Sequence, residues 1–294
     1  MKMYKLLSIA LSLLLSGTVL AERAADPDRF QIETIQLKFK ADKGLDDLME
    51  LRQKFADFAK SGELKYSSRV LIPWAVNNAA LPSSQDWDAL WVGFSPNTRD
   101  YANTLSYYLK NGDAFNADFE AVRTNVGTNL SRGETIFSGE LAPMGETGVV
   151  LFRTCKLNAK QTMGNAKKAM LAMSEKLKAG GSKGGTYFWN PGPGAAPSME
   201  DSFLITRWFP SVEAWGDSSM AYENGDMAKV EAGVSRVMDC SAFRLYLDYP
   251  FYWEGQRKLD LGGSYIPLNL LITFHFFSRL IEYNAIAHPL THSK

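Results

Sequence analysis

The chain has 294 residues, 46% of them hydrophobic, 12% aromatic and 22% charged, which is enough apolar material for a sizeable buried core and excludes a disordered polypeptide. Lys+Arg 32 balance Asp+Glu 32, and a formal net charge of +0 lacks the basic excess with which nucleic-acid binders neutralise phosphates. The three histidines, His275, His288 and His292, all lie near the C-terminus, so the body has no imidazole for metal, haem or Ser-His chemistry.

In chain order, Lys2 and Lys5 precede an apolar run from Leu6 to Leu15, and small residues lead to Ala21. This is the layout of a secretory leader cleaved after Ala21, and the run is shorter than the roughly 20 residues a membrane span needs. An exported protein, periplasmic or extracellular, is therefore expected. Export would place Cys155 and Cys240 where a disulfide persists, the alternative being two buried thiols. No CxxC motif is present, which argues against thiol exchange as the function.

Ile35, Leu37 and Phe39 alternate with polar residues, as in a half-buried strand. Leu48, Leu51, Phe55 and Phe58 then mark an amphipathic helix over 46–61. Strands are expected at 69–74 and 89–94, a helix at 98–109, and a last strand at 135–141. The second half reads alike, with a strand at 149–157, a helix at 159–179, strands at 186–189 and 203–209, a helix at 212–222, and a strand at 243–249.

The two halves also share residues. Trp74, Ala80, Pro82, Ser83 and Asp86 recur as Trp189, Ala195, Pro197, Ser198 and Asp201, at a shift of about 115 positions. After one gap, Phe94, Pro96, Tyr101 and Tyr108 match Trp208, Pro210, Trp215 and Tyr222, and Asn111-Gly112-Asp113 matches Asn224-Gly225-Asp226. The expected fold is α+β, two tandem ferredoxin-like βαββαβ repeats packed sheet to sheet as an intramolecular α/β barrel. The expected divisions are a leader at 1–21, repeats at 22–146 and 147–254, and an apolar tail at 255–294.

On the passages 89–108 and 203–222, with Pro210, Trp215, Tyr222 and Gly225, the chain resembles the dimeric α/β-barrel superfamily. More loosely it is similar to the antibiotic-biosynthesis monooxygenase and NIPSNAP branches. The resemblance covers roughly residues 30–254 and carries no superfamily-wide catalytic motif. It implies a pocket between the sheets and, for monooxygenase-like branches, cofactor-independent chemistry there. Haem-handling branches typically hold iron through histidine, which this body lacks; no cofactor and no metal are expected. The usual strand order of the resembled fold sets the last strand beside the first, which brings Cys155 and Cys240 within bonding range.

Candidate site residues follow from cost. Arg153, Arg207 and Arg244 sit in expected strands, where an unpaired guanidinium is expensive to bury. They would form an anion-recognising wall in the inter-sheet cavity, or pair with carboxylates such as Asp248 and Glu254. Among the aromatics, Tyr187, Trp189, Trp208 and Tyr246 are candidates to line the cavity, while the duplicated pairs Trp74/Trp189 and Tyr108/Tyr222 read as packing that each repeat needs. Asp86 and Asp201 suit turns. The loop at 190–197 has prolines that remove amide donors, so it reads as a stiff hairpin loop at a pocket rim and not as a nucleotide site. Asn129-Leu130-Ser131 is a glycosylation sequon.

The tail, apolar from Ile266 to Phe277 but interrupted, reads as a docking helix or a weak membrane contact. The expected partner is a small apolar or anionic molecule, with no nucleic acid. A cofactor-independent monooxygenase and a non-catalytic scaffold are the alternatives.

Overall fold

Strands that must be covered on both faces need apolar side chains at nearly every position. Two of the last strands show this: SFLITRWF (β7, Ser202–Phe209) and RLYLDYPFY (β9, Arg244–Tyr252) are buried almost throughout. The computed structural model describes residues 28–76 and 87–253. The expected leader, the tail, all three histidines, and Ala80, Pro82, Ser83 and Asp86 of the repeat lie outside the described residues.

The first half runs β1 (Arg29–Phe39), α1 (Leu45–Glu50), α2 (Arg52–Ser61), β2 (Ser67–Ala75), β3 (Ala89–Ser95), α3 (Thr98–Asn111), α4 (Asp113–Val122) and β4 (Arg123–Phe137). The second runs β5 (Gly148–Leu157), α5 (Met163–Ala179), β6 (Gly185–Pro191), β7, α6 (Val212–Asn224), α7 (Ala228–Val237), β8 (Met238–Cys240) and β9. The strands pair in the order β7-β6-β4-β1-β3-β2-β9-β5, and β5 pairs with β7 to close the ring. Every pairing is antiparallel.

Within that ring the first half has the order β4-β1-β3-β2 and the second β9-β5-β7-β6, the same ferredoxin-like order twice. The seams are β2 with β9 and β4 with β6. The architecture is thus that of a dimeric α/β barrel closed within one chain, and the α+β barrel expectation holds.

Alternation along each strand sorts side chains between two environments. Phe30 and Ile32 of β1 join the barrel interior with Leu71, Val92, Val150, Phe152 and Trp208. Ile35, Leu37 and Phe39 turn outwards to the helices of the first half. There Phe55 of α2 meets Tyr66, Trp91, Phe115, Phe119, Phe251 and Tyr252, each with ring centroids 5.3 to 6.5 Å away. The helices start on caps the sequence supplies: Asn97, Thr162 and Ser211 each accept from the backbone amide three residues on.

Several elements differ from expectation. The helix over 46–61 is two helices meeting at Leu51. The helices α4 and α7 and the short β8 were not anticipated. The last strand of the first half begins at Arg123, twelve residues before the expected start, because its polar sequence becomes a strand through ladders with both β1 and β6. The pair Trp74/Trp189 is not equivalent packing, since Trp189 is 2% exposed and Trp74 65%. Trp74 sits at a bulge in the β2–β9 ladder, between Pro73 and Ala75, whereas Trp189 lies on a strand paired on both sides. Tyr222 is likewise exposed, while Tyr108 packs on Phe58.

Asp201 has φ +61°, the left-handed conformation of a turn residue. Cys155 of β5 and Cys240 of β8 form a disulfide. The loop after β6 extends the sheet: Leu130 N donates to Pro193 O at 2.8 Å and Gly192 N to Leu130 O at 2.9 Å.

Candidate functional site

One end of the barrel holds a cavity of about 190 Å³ between the two halves. Phe30, Ser67, Arg69, Phe94 and Leu141 come from the first half and its connection to β5; Tyr187, Trp189, Trp208 and Trp253 come from the second. The rings fix one another. Phe94 lies edge-on to Trp189 at 6.3 Å and to Trp208 at 5.8 Å, and the two indoles are 6.3 Å apart. Trp208 Nε1 donates to Thr206 Oγ1 at 3.0 Å, but the buried Trp189 Nε1 has no partner. Trp253, half exposed, stands among the lining residues as the accessible one.

Arg69 supplies the charge. Its guanidinium sits 5.6 Å over the Trp208 ring, pairs through Nη1 with Asp248 Oδ2, and donates from Nη2 to Ala142 O at 2.8 Å. Both members of the pair are buried, and Asp248 Oδ1 has no hydrogen-bond partner. Burial pushes the Asp248 carboxyl up to about 6, although the guanidinium beside it pulls the other way. Burial also raises the Tyr187 hydroxyl, opposed by the Gly139 amide and by the positive charge of Arg69.

The expected site residues divide into three places. Tyr187, Trp189 and Trp208 line the cavity. Tyr246 and Arg244 face the barrel interior elsewhere: Tyr246 stacks on Trp87 at 6.5 Å and is pushed to about 12 by burial, and Arg244 lies opposite Phe152 and donates to Thr154 Oγ1 at 3.2 Å. Arg153 and Arg207 point to the other face, under the helices. The single arginine wall is therefore corrected, since Arg153 and Arg244 stand on opposite faces of adjoining strands. Period-two alternation separates them. Asp248 pairs with Arg69 and not with any of those three.

Arg69, Phe30, Phe94 and Trp253 were missed as site residues, and Asp248 was named only as a partner for the second-half arginines. The strand-arginine criterion, applied to the first half as it was to the second, would have found Arg69. A larger groove of about 440 Å³ lies outside the barrel between Arg29, Arg132, Lys167 and the loop after β6, so that loop lines this outer groove and not the cavity between the halves. Its Lys167 is already paired with Glu134.

No family model matches the chain, and no curated protein matches it. Several solved structures are similar in outline. An anthrone oxidase-like protein aligns at 11% identity and a TM-score of 0.44, covering 80% of this chain and 98% of its own. A variant chlorite dismutase from Candidatus Nitrospira defluvii aligns at 8% and 0.43, covering 77% and 93%. A haem-binding protein from Thermus thermophilus aligns at 9% and 0.41, covering 76% and 91%. Likenesses this distant carry no argument about chemistry. Among the described residues there is no histidine and the two cysteines are joined to each other, so neither imidazole nor thiolate is offered there to a haem iron. Among the described residues no His, Cys, Asp and Glu cluster could hold a metal ion.

Proposed function

We propose that this protein binds a small, largely apolar molecule about the size of one aromatic ring in the cavity between the two halves of the barrel. The observation that carries it is the lining of that cavity by aromatic rings with a buried cation at one side. Its volume, about 190 Å³, compares with the roughly 150 Å³ that accommodates benzene in an engineered apolar cavity. Trp189 Nε1 and Arg69 are donors that would orient an acceptor or anionic substituent.

Catalysis on the bound molecule is a second reading, favoured by Asp248. A carboxyl held near 6, with one oxygen unpartnered and the other on a residue lining the cavity, is suited to accept a proton. Kinship with the monooxygenase-like or NIPSNAP branches and descent of the halves by duplication belong to the same proposal. So does export, which the leader-like start and the Cys155–Cys240 disulfide support.

Titration of the oxidised protein with toluene and with benzoate, followed by tryptophan fluorescence, tests the binding. Saturable quenching is expected, and Leu141→Trp, which fills the cavity, is expected to abolish it while the protein stays folded. Absence of any response to either probe, with no ligand mass released from the purified protein on denaturation, would leave the barrel a scaffold.

A further inference from the structure

We infer that a second, anion-binding site lies outside the barrel, where Arg153 and Arg207 converge beneath α6 for a ligand presenting phosphate or carboxylate oxygens. In the β5–β7 ladder Arg153 stands opposite Ile205 and Arg207 opposite Leu151. The two arginines are thus diagonal neighbours on one face, within reach of each other's long side chains. It is the face covered by helix, because Arg207 Nη2 donates to Ser218 Oγ of α6 at 3.1 Å.

The site is built from donors. Arg207 is only 8% exposed and lies 5.0 Å over Phe209, and Arg153 lies 4.9 Å over Phe243. Both Nε groups are buried without an acceptor. Ser218 Oγ accepts a second bond from Ser182 Oγ at 2.8 Å, which leaves its own hydrogen for an acceptor not yet named. Among the described residues neither arginine has a carboxylate partner. Burial brings Arg207 down to about 10, and the like charge of Arg153 acts in the same direction.

A buried and a half-buried like charge without a carboxylate counter-ion are unfavourable neighbours, and an external anion supplies what the chain omits. The first half shows the contrast. At the strand position before Phe94, as Arg207 is before Trp208, stands Gly93. A carboxylate, Glu33, occupies that neighbourhood and is satisfied internally by Tyr66 at 2.9 Å and Tyr101 at 2.8 Å. The second half carries cations in the matching place and no acid.

The test is thermal unfolding of the oxidised full chain in millimolar inorganic phosphate or acetate, against chloride at equal ionic strength. A saturable rise in Tm with one or both anions is expected, the more effective one identifying the head group. Arg153→Gln, at the less buried arginine, is expected to weaken the response about tenfold or more, as loss of one charge-assisted contact would. Arg207→Gln is expected to do the same if it folds. Leu141→Trp, which blocks the barrel cavity, is expected to leave the response intact. Equal behaviour in chloride, a wild-type response in Arg153→Gln, or loss of the response in Leu141→Trp would each overturn the proposal.

Discussion

Substituting Asp248 by Asn would remove the charge opposite the buried Arg69 guanidinium and leave it a neutral amide oxygen, the Ala142 carbonyl and the Trp208 ring. Because burial outweighs the pull of Arg69 on this carboxyl, the neutral amide mimics the protonated acid, and the substitution is expected to cost little near pH 4 and to give the more stable protein above pH 6. The reverse change, Arg69→Met, is expected to cost less below pH 6 than above it. The remaining carboxyl relieves itself by taking up a proton, which burial already favours.

The pH dependence has a definite sign. The folded carboxyl titrates near 6 against 3.8 for an ordinary aspartate, so between those values the folded state holds a proton that the unfolded state releases. Stability contributed here is present below the unfolded value and is lost as pH rises through the window. At about 1.4 kcal/mol per pKa unit the loss comes to about 3 kcal/mol.

Urea unfolding followed by tryptophan fluorescence, at a series of pH values from 4 to 8, measures it as the difference between wild type and Asp248→Asn, so that other carboxylates cancel. Wild type is expected to lose stability relative to Asp248→Asn, by up to about 3 kcal/mol, as pH rises from about 4 to 6. In Arg69→Met the fall should extend above pH 6, since the attraction opposing the rise is gone. A flat difference, or a coupling energy between Arg69 and Asp248 below about 0.5 kcal/mol, would refute this account of the pair.

Reducing the Cys155–Cys240 disulfide, which spans 85 residues, should destabilise the protein by about 4–5 kcal/mol on the chain-entropy scale. Urea midpoints with and without reductant check this. Gly93→Ala should cost about 2 kcal/mol or more, because a Cβ there would collide with the Tyr66 hydroxyl and drive it from Glu33 and from Trp91 Nε1. An unchanged melting temperature would show that Tyr66 moves aside freely.

Local pattern carried a good deal. Alternation at 35–39, helical spacing at 46–61 and the two-fold recurrence of strand and helix determined the βαββαβ order. These are properties of period and spacing, which the chain holds before it folds. The closeness of Cys155 and Cys240 came instead from the strand order of the resembled fold, and not from the order of elements itself. What escaped was set by neighbours distant in sequence. The polar run from Arg123 is a strand because β1 and β6 bond to both its edges, and Trp74 is exposed where Trp189 is buried because the two halves meet different partners.

The site divides in the same way. Residue type picked out Tyr187, Trp189 and Trp208 as candidates, since large amphipathic rings on strands must go somewhere apolar. Which face each arginine takes depends on register, and a one-residue difference sends a side chain to the opposite environment. Only closure of the ring brought Arg69 of the first half against Asp248 of the second and made their pair the charged edge of the cavity. It also left Arg153 and Arg207 together outside it.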